Sequence, residues 1–263
     1  NLVASFSNVE NIALGNVLGS NIANIFLVLG VAALFRPLTL QGRTIWKEIP
    51  FALIITIVLG ILANDLLFVP TGENILSNGD GILLLIFFLL FMVYIFSSGL
   101  DEELIGELPT IPLKKSILFV IGGILGLGLG GNMVVNGAES IASEMGISDA
   151  FIGLTAVALG TSLPELITSL NAAFKSNSDI AVGNVVGSNV FNIALVLGVS
   201  GSIKDIPYHT SFNLDMGVTI LAMVFLFVFM FLGKRHRIGR RKGALFALLY
   251  IGYIVMVYFT RVA

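Results

Sequence analysis

Glu165 sits in the middle of an apolar stretch, residues 149–174, which reads DAFIGLTAVALGTSLPELITSLNAAF. An acid at such a depth costs on the order of 2.5–3.5 kcal/mol even on lenient insertion scales, and it marks an ion or proton path. Its neighbours are oxygen donors. Pro164 lacks an N–H and disfavours helix in the residue before it, so GTSLPE predicts an interrupted helix. The interruption would free carbonyls near Ala158, Leu159 and Gly160, beside the hydroxyls of Thr161 and Ser162 and the Glu165 carboxylate. Oxygens alone converge there. Calcium takes about six to eight oxygens, carboxylate included, and sodium accepts carbonyl and hydroxyl ligands. Proton relays also use intramembrane acids, so Glu165 by itself leaves the ion open.

A second constellation is written twice. Residues 15–30 read GNVLGSNIANIFLVLG and residues 183–198 read GNVVGSNVFNIALVLG, an offset of 168. Over 12–30 against 180–198, 14 of 19 positions are identical, a repeat too long for chance. Asn16, Ser20 and Asn24 are spaced four apart, as are Asn184, Ser188 and Asn192, so each trio lines one helix face. Gly15 with Gly19, and Gly183 with Gly187, form small-xxx-small pairs that admit a close neighbour. Amides and hydroxyls offer neutral oxygens to a cation; the same groups can serve as hydrogen-bonding glue between helices.

The elements that must position these groups follow from composition. The chain is 56% hydrophobic and only 11% charged, with 20 Phe. A bilayer core about 30 Å thick needs roughly 20 apolar residues per helix, and crossings are expected near 12–35, 49–69, 81–99, 116–136, 149–174, 179–202, 211–232 and 244–260. Spans of this length argue for an all-α helical bundle over a barrel. With these crossings, 12 of the 14 Lys and Arg fall on one side, which is therefore expected to be cytoplasmic. The cluster KRHRIGRRKG, residues 234–243, reads first as a topology anchor rather than a lipid or nucleic-acid patch. The absence of cysteine excludes a disulfide framework and thiolate metal sites.

Four spans separate the two copies, so they run antiparallel through the membrane. This is the inverted-repeat construction of secondary transporters, with a site at the midplane between halves. The expected organisation is a first repeat over 1–100, a connecting loop over 101–115 that is acidic and then basic, and a second repeat over 116–263.

GTSLPE followed by GNVVGSNVFNIALVLG resembles the second alpha-repeat of the cation/calcium exchanger superfamily. GNVLGSNIANIFLVLG looks like the downstream half of the first. The resemblance implies a ten-helix antiporter of inverted five-helix repeats, exchanging calcium for sodium by alternating access in the plasma or inner membrane. By that resemblance Glu165 is a calcium ligand, and the Ala158 carbonyl with the Thr161 and Ser162 hydroxyls serves calcium and sodium. Ser20 and Asn24, with Ser188 and Asn192, complete the sodium and central sites. At the offset of 168 the counterpart of GTSLPE would precede residue 1, so helix 1 and the first half of helix 2 are expected to be missing. Asn192 stands where potassium-dependent members carry an acid, which disfavours potassium co-transport. GTSLPE, where proton-coupled members have Gly-Asn-x-x-Glu, favours sodium.

The alternative within transport is a calcium/proton antiporter with Glu165 as the proton carrier, and less favoured is a passive cation channel, because a carboxylate site slows exit. An intramembrane hydrolase would need a second acid, a His base or a metal cluster; His209 and His236 lie in loops and no second mid-span acid stands out. The chain is thus read as a transporter and not an enzyme, with no resident cofactor and no nucleic-acid partner; its partners are the transported calcium and sodium ions and the lipid bilayer. The acids of the loop, Asp101, Glu102, Glu103 and Glu107, lack an EF-hand pattern and read as a solvated segment.

Overall fold

A computed structural model describes residues 10–67, 73–97, 112–144, 153–233 and 236–261. Residues 1–9 and the acidic part of the 101–115 loop lie outside the described residues. Helix α1 (Glu10–Ile22) runs through a π-helical segment, Ala23–Leu29, into α2 (Gly30–Phe35) as one apolar rod. An extended stretch holds β1 (Leu38–Thr39), and a π turn, Thr44–Glu48, runs directly into α3 (Ile49–Leu62), with Pro50, which lacks an N–H to bond back into that turn, at the junction. Next come β2 (Ile75–Leu76), α4 (Asn78–Ser97) and the long α5 (Leu113–Glu144). The second half continues with a π turn, Gly153–Val157, then α6 (Ala158–Phe174), α7 (Ser178–Val190), a π segment Phe191–Leu197 and α8 (Gly198–Ile203). β3 (Ile206–Pro207), α9 (Asn213–Phe229), β4 (Arg237–Ile238) and α10 (Arg240–Arg261) complete it.

The sequence repeat is a structural repeat. The π segments Ala23–Leu29 and Phe191–Leu197, the short helices α2 and α8, and the strands β1 and β3 all stand 168 residues apart. Both rods end the same way, with Arg36 at φ −141° and Lys204 at φ −149° turning the chain into extended backbone. Two short antiparallel ladders tie the ends of the bundle. β1 pairs with β4, Leu38 opposite Ile238, and β2 pairs with β3, Leu76 opposite Ile206. The first ladder gathers the loops that carry Arg36, Arg43 and Arg237; Arg36 Nη1 also donates to the Phe174 carbonyl at 2.9 Å, next to Lys175. Lys204 sits at the other ladder, as the alternation of spans requires.

Among the described residues, six helices are long and apolar enough to cross a membrane: Leu14–Phe35, Thr44–Leu62, Asn78–Ser97, Ser178–Ile203, Thr210–Phe229 and Arg240–Thr260. They coincide with six of the eight expected crossings. The crossing expected at 116–136 lies inside α5, and that expected at 149–174 is the π turn plus α6. The latter carries Thr161, Ser162, Glu165 and Asn171, too polar for a lipid-facing span and suited to an interior one. The rod of the first copy, Leu14–Phe35, is the most buried of these spans and that of the second copy, Ser178–Ile203, is about half buried, whereas Asn78–Ser97 is mostly exposed and suited to face lipid. Phe246 of α10 packs into the core, stacked on Phe229 with ring centroids 5.3 Å apart and tilted against Phe26 at 5.6 Å.

Candidate ion site

Residue α6 placement explains the first part of the site. The helix lies between α1 and α7, and Ala158, Thr161 and Glu165 follow one another at helical spacing along it. The expected interruption at Pro164 is absent: α6 is continuous from Ala158 to Phe174 with Pro164 inside it. A proline costs one i→i−4 bond and crowds the preceding turn, but packing against neighbouring helices holds membrane helices through such a position. The irregularity falls instead one turn before Ala158, in the π turn Gly153–Val157. Wide turns of this kind recur at functional sites.

The carbonyl of Ala158 is reached nonetheless. Thr161 Oγ1 donates to it at 3.2 Å, and Ser20 Oγ lies 3.4 Å away. Ser20 Oγ and Thr161 Oγ1 are 2.8 Å apart, and both stand 3.0 Å from Asn16 Oδ1. Four oxygens from α1 and α6 thus meet in one cluster. The approach depends on Gly19, where a Cβ would sit 2.5 Å from the Leu154 carbonyl and 2.8 Å from the Ala158 Cβ.

One turn further along α6, Ser188 of α7 lies beside the Glu165 carboxylate. Asn184 Nδ2 donates to Ser169 Oγ at 3.2 Å, and Ser169 Oγ donates to the Ala181 carbonyl at 3.1 Å, fastening α6 to α7 one turn beyond the acid. Among the described residues, five buried side-chain polar atoms lack a hydrogen-bond partner, and three of them are Asn24 Oδ1, Ser162 Oγ and Glu165 Oε2. Buried oxygens without partners are costly in an apolar interior. Three hard-oxygen acceptors left open among the residues singled out by sequence are the chemistry a cation needs.

Asn24 and Asn192 enter a different constellation. Asn24 Nδ2 donates to Asn189 Oδ1 at 2.9 Å, and Asn192 Nδ2 donates to Asn21 Oδ1 at 3.0 Å. Asn21 Nδ2 and Asn189 Nδ2 each donate to the other residue's backbone carbonyl, at 3.4 and 3.3 Å. The four bonds form two pairs related by the offset of 168. The structure therefore brings Ser20, Thr161 and the Ala158 carbonyl into direct contact and sets Ser188 beside Glu165. It places Asn24 and Asn192 in the crossing of the two inverted rods, and leaves Ser162 buried one residue from Thr161 with its hydroxyl unpartnered.

Sequence reasoning missed Asn21 and Asn189 as partners of that crossing. Their signal was present, since both lie in the repeated GSN triplet. It also missed Asp215, a carboxylate in the first turn of α9 that is fully buried and accepts a hydrogen bond from Tyr253 Oη at 2.9 Å. Asp215 lies near the end of its span rather than the middle, where an acid draws less notice.

Comparison with known proteins gives the family and the fold. A family model described as sodium/calcium exchanger protein matches residues 1–97 and 115–259. The inner membrane protein YrbG of Escherichia coli is 34% identical over 273 residues, covering 98% of this chain and 80% of the relative. The sodium/calcium exchanger MaX1 of Methanosarcina acetivorans is 26% identical over 292 residues, covering 98% and 83%. The solved structure of the sodium-calcium exchanger NCX_Mj, soaked with sodium and calcium ions, superposes with a TM-score of 0.75 at 34% identity, covering 97% of this chain and 79% of that one. The inverted-repeat exchanger fold is thereby shown, and the chain is a multi-pass integral membrane protein of the sodium/calcium exchanger family.

Proposed function

We propose that this member of a cation/calcium exchanger family moves calcium against sodium by alternating access. Glu165 is its charged ligand, and the Ala158 carbonyl, Thr161, Ser162, Ser20 and Ser188 are its neutral ones. The observation that carries this reading is the meeting of Ser20, Thr161 and the Ala158 carbonyl within 2.8–3.4 Å, beside the open buried oxygens of Ser162 and Glu165. Hydroxyls and carbonyls suit sodium, and a carboxylate one helical turn away adds the charge that calcium requires. A set shared between helices from two inverted repeats can be exposed to either side by rocking one repeat against the other. We place those repeats at 1–100 and 116–263, joined by 101–115, with the Lys/Arg-rich end in the cytoplasm.

Asn24 and Asn192 flank the cluster with amides, so the central position gains no charge from them. This supports sodium over potassium as the coupling ion. The test is uptake of radiolabelled calcium into proteoliposomes holding the purified protein, under an outward sodium gradient and separately an outward proton gradient. Uptake with sodium alone is expected. Uptake with protons alone would make Glu165 a proton carrier in a calcium/proton antiporter, and uptake with neither gradient would point to a channel.

A further inference from the structure

The basic segment after α9 does more than crowd one side with charge. Where β4 turns into α10 there is a cavity of about 400 Å³ lined by Pro37, Arg237, Gly239, Arg240, Arg241 and Lys242. Four of the six lining residues are cationic and none is acidic. Lys242 is already committed: its ammonium donates to the Arg237 carbonyl at 2.7 Å and to the Phe229 carbonyl, which fixes the floor of the cavity to the end of α9. Arg240 spends one donor, Nε, on the Leu34 carbonyl at 3.2 Å. Among the described residues no carboxylate pairs with Arg237, Arg240 or Arg241. Guanidinium groups with unspent donors present the planar forks that suit phosphate oxygens.

The surroundings select the source of that phosphate. Arg241 is exposed, and Leu245, Leu248, Val255 and Phe259 continue its face along α10 at helical spacing, 42%, 65%, 49% and 66% exposed. An apolar stripe of this kind on a spanning helix faces acyl chains. Arg241 therefore stands where that stripe meets the headgroup layer, and Leu34, whose carbonyl holds Arg240, is itself 37% exposed beside it. The cavity is cationic at headgroup level and continuous with a lipid-facing apolar surface, a combination a soluble anion does not need. We propose that it binds the phosphate of an anionic phospholipid headgroup, with Arg237 and Arg241 as its principal ligands and Lys242 as the residue that shapes it.

Native mass spectrometry of the purified protein with equal amounts of phosphatidylglycerol and phosphatidylcholine reads this directly. Retained phosphatidylglycerol is expected to exceed phosphatidylcholine, and Arg237→Gln with Arg241→Gln should weaken its retention about fivefold for each guanidinium removed. Lys114→Gln with Lys115→Gln, a charge-matched change outside the cavity, should leave retention as in the wild type. Excess inorganic phosphate should displace nothing. Equal retention of the two lipids, or undiminished phosphatidylglycerol on the double arginine variant, overturns the proposal. Displacement by inorganic phosphate overturns the lipid assignment in favour of a free-anion site. Arg241→Gln alone, at an exposed position, and Arg241→Lys, which keeps the charge, carry the same test should the double variant fail to fold.

Discussion

Asn21 and Asn189 hold each other by their backbones: each side-chain amide donates to the other residue's carbonyl, at 3.4 and 3.3 Å, across a separation of 168 residues. The pair marks the axis of the inverted repeat. Both residues are buried, 0% and 1% exposed, so their hydrogen bonds have no water to fall back on.

Replacing either asparagine with alanine should therefore destabilise the protein by about 1–3 kcal/mol, because the Asn192 amide (for Asn21) or the Asn24 amide (for Asn189) loses its acceptor and the opposite backbone carbonyl loses a donor. The double variant should cost about the sum of the two, since each bond ends on a backbone carbonyl that alanine keeps and the two substitutions orphan different groups. Thermal or denaturant unfolding in detergent measures this cycle. A double variant no worse than either single one would mean that the crossing is not held by these bonds.

Gly19 predicts a contrast with Gly252. An alanine at 19 would drive its methyl into the Leu154 carbonyl, whereas nothing lies within 4 Å of a Cβ at Gly252. Gly19→Ala should cost about 1–3 kcal/mol in stability and lower calcium uptake by parting Ser20 from Thr161. Gly252→Ala, inside α10 with open space around it, should leave stability unchanged or raise it by up to about 1 kcal/mol and leave uptake unaltered. Equal effects of the two substitutions would show that the α1–α6 approach does not set the site.

These contacts show what the sequence made legible and what it withheld. The repeat, its inversion and six spans could be read because bilayer thickness and helical pitch act on every residue alike. Glu165 was visible because a carboxylate in an apolar run is expensive wherever it stands. The division of labour within the trios was not. Asn16 and Ser20 turn to Thr161, while Asn24 turns to Asn189, since the backbone widens into a π segment from Ala23 and the simple i, i+4 face no longer holds. Pro164 misled in the opposite direction: local propensity predicts a break, and tertiary packing carries the helix through it.

Asn192→Asp should place a carboxylate in the crossing and remove the amide donor that Asn192 gives to Asn21 Oδ1. The expected outcome is calcium transport with an altered dependence on sodium or potassium, read by uptake assays in which the two salts are varied in turn. If neither dependence changes, Asn192 serves only to hold the helices together.

Ser20→Ala and Thr161→Ala each remove one hydroxyl of a pair 2.8 Å apart. Each should weaken sodium competition more than calcium binding itself, because Glu165 remains to meet the divalent charge. The readout is the sodium concentration that halves bound calcium, which should rise in both variants; an unchanged value would remove these hydroxyls from the sodium site.

The central claim is that one cluster built on Glu165 takes both ions, and equilibrium binding of radiolabelled calcium to the purified protein across a sodium titration tests it most directly. The wild type should bind calcium with an apparent Kd that climbs as sodium is added, and Glu165→Gln, folded and melting close to the wild type, should bind none. Calcium binding indifferent to sodium, or retained undiminished by Glu165→Gln, would contradict the account.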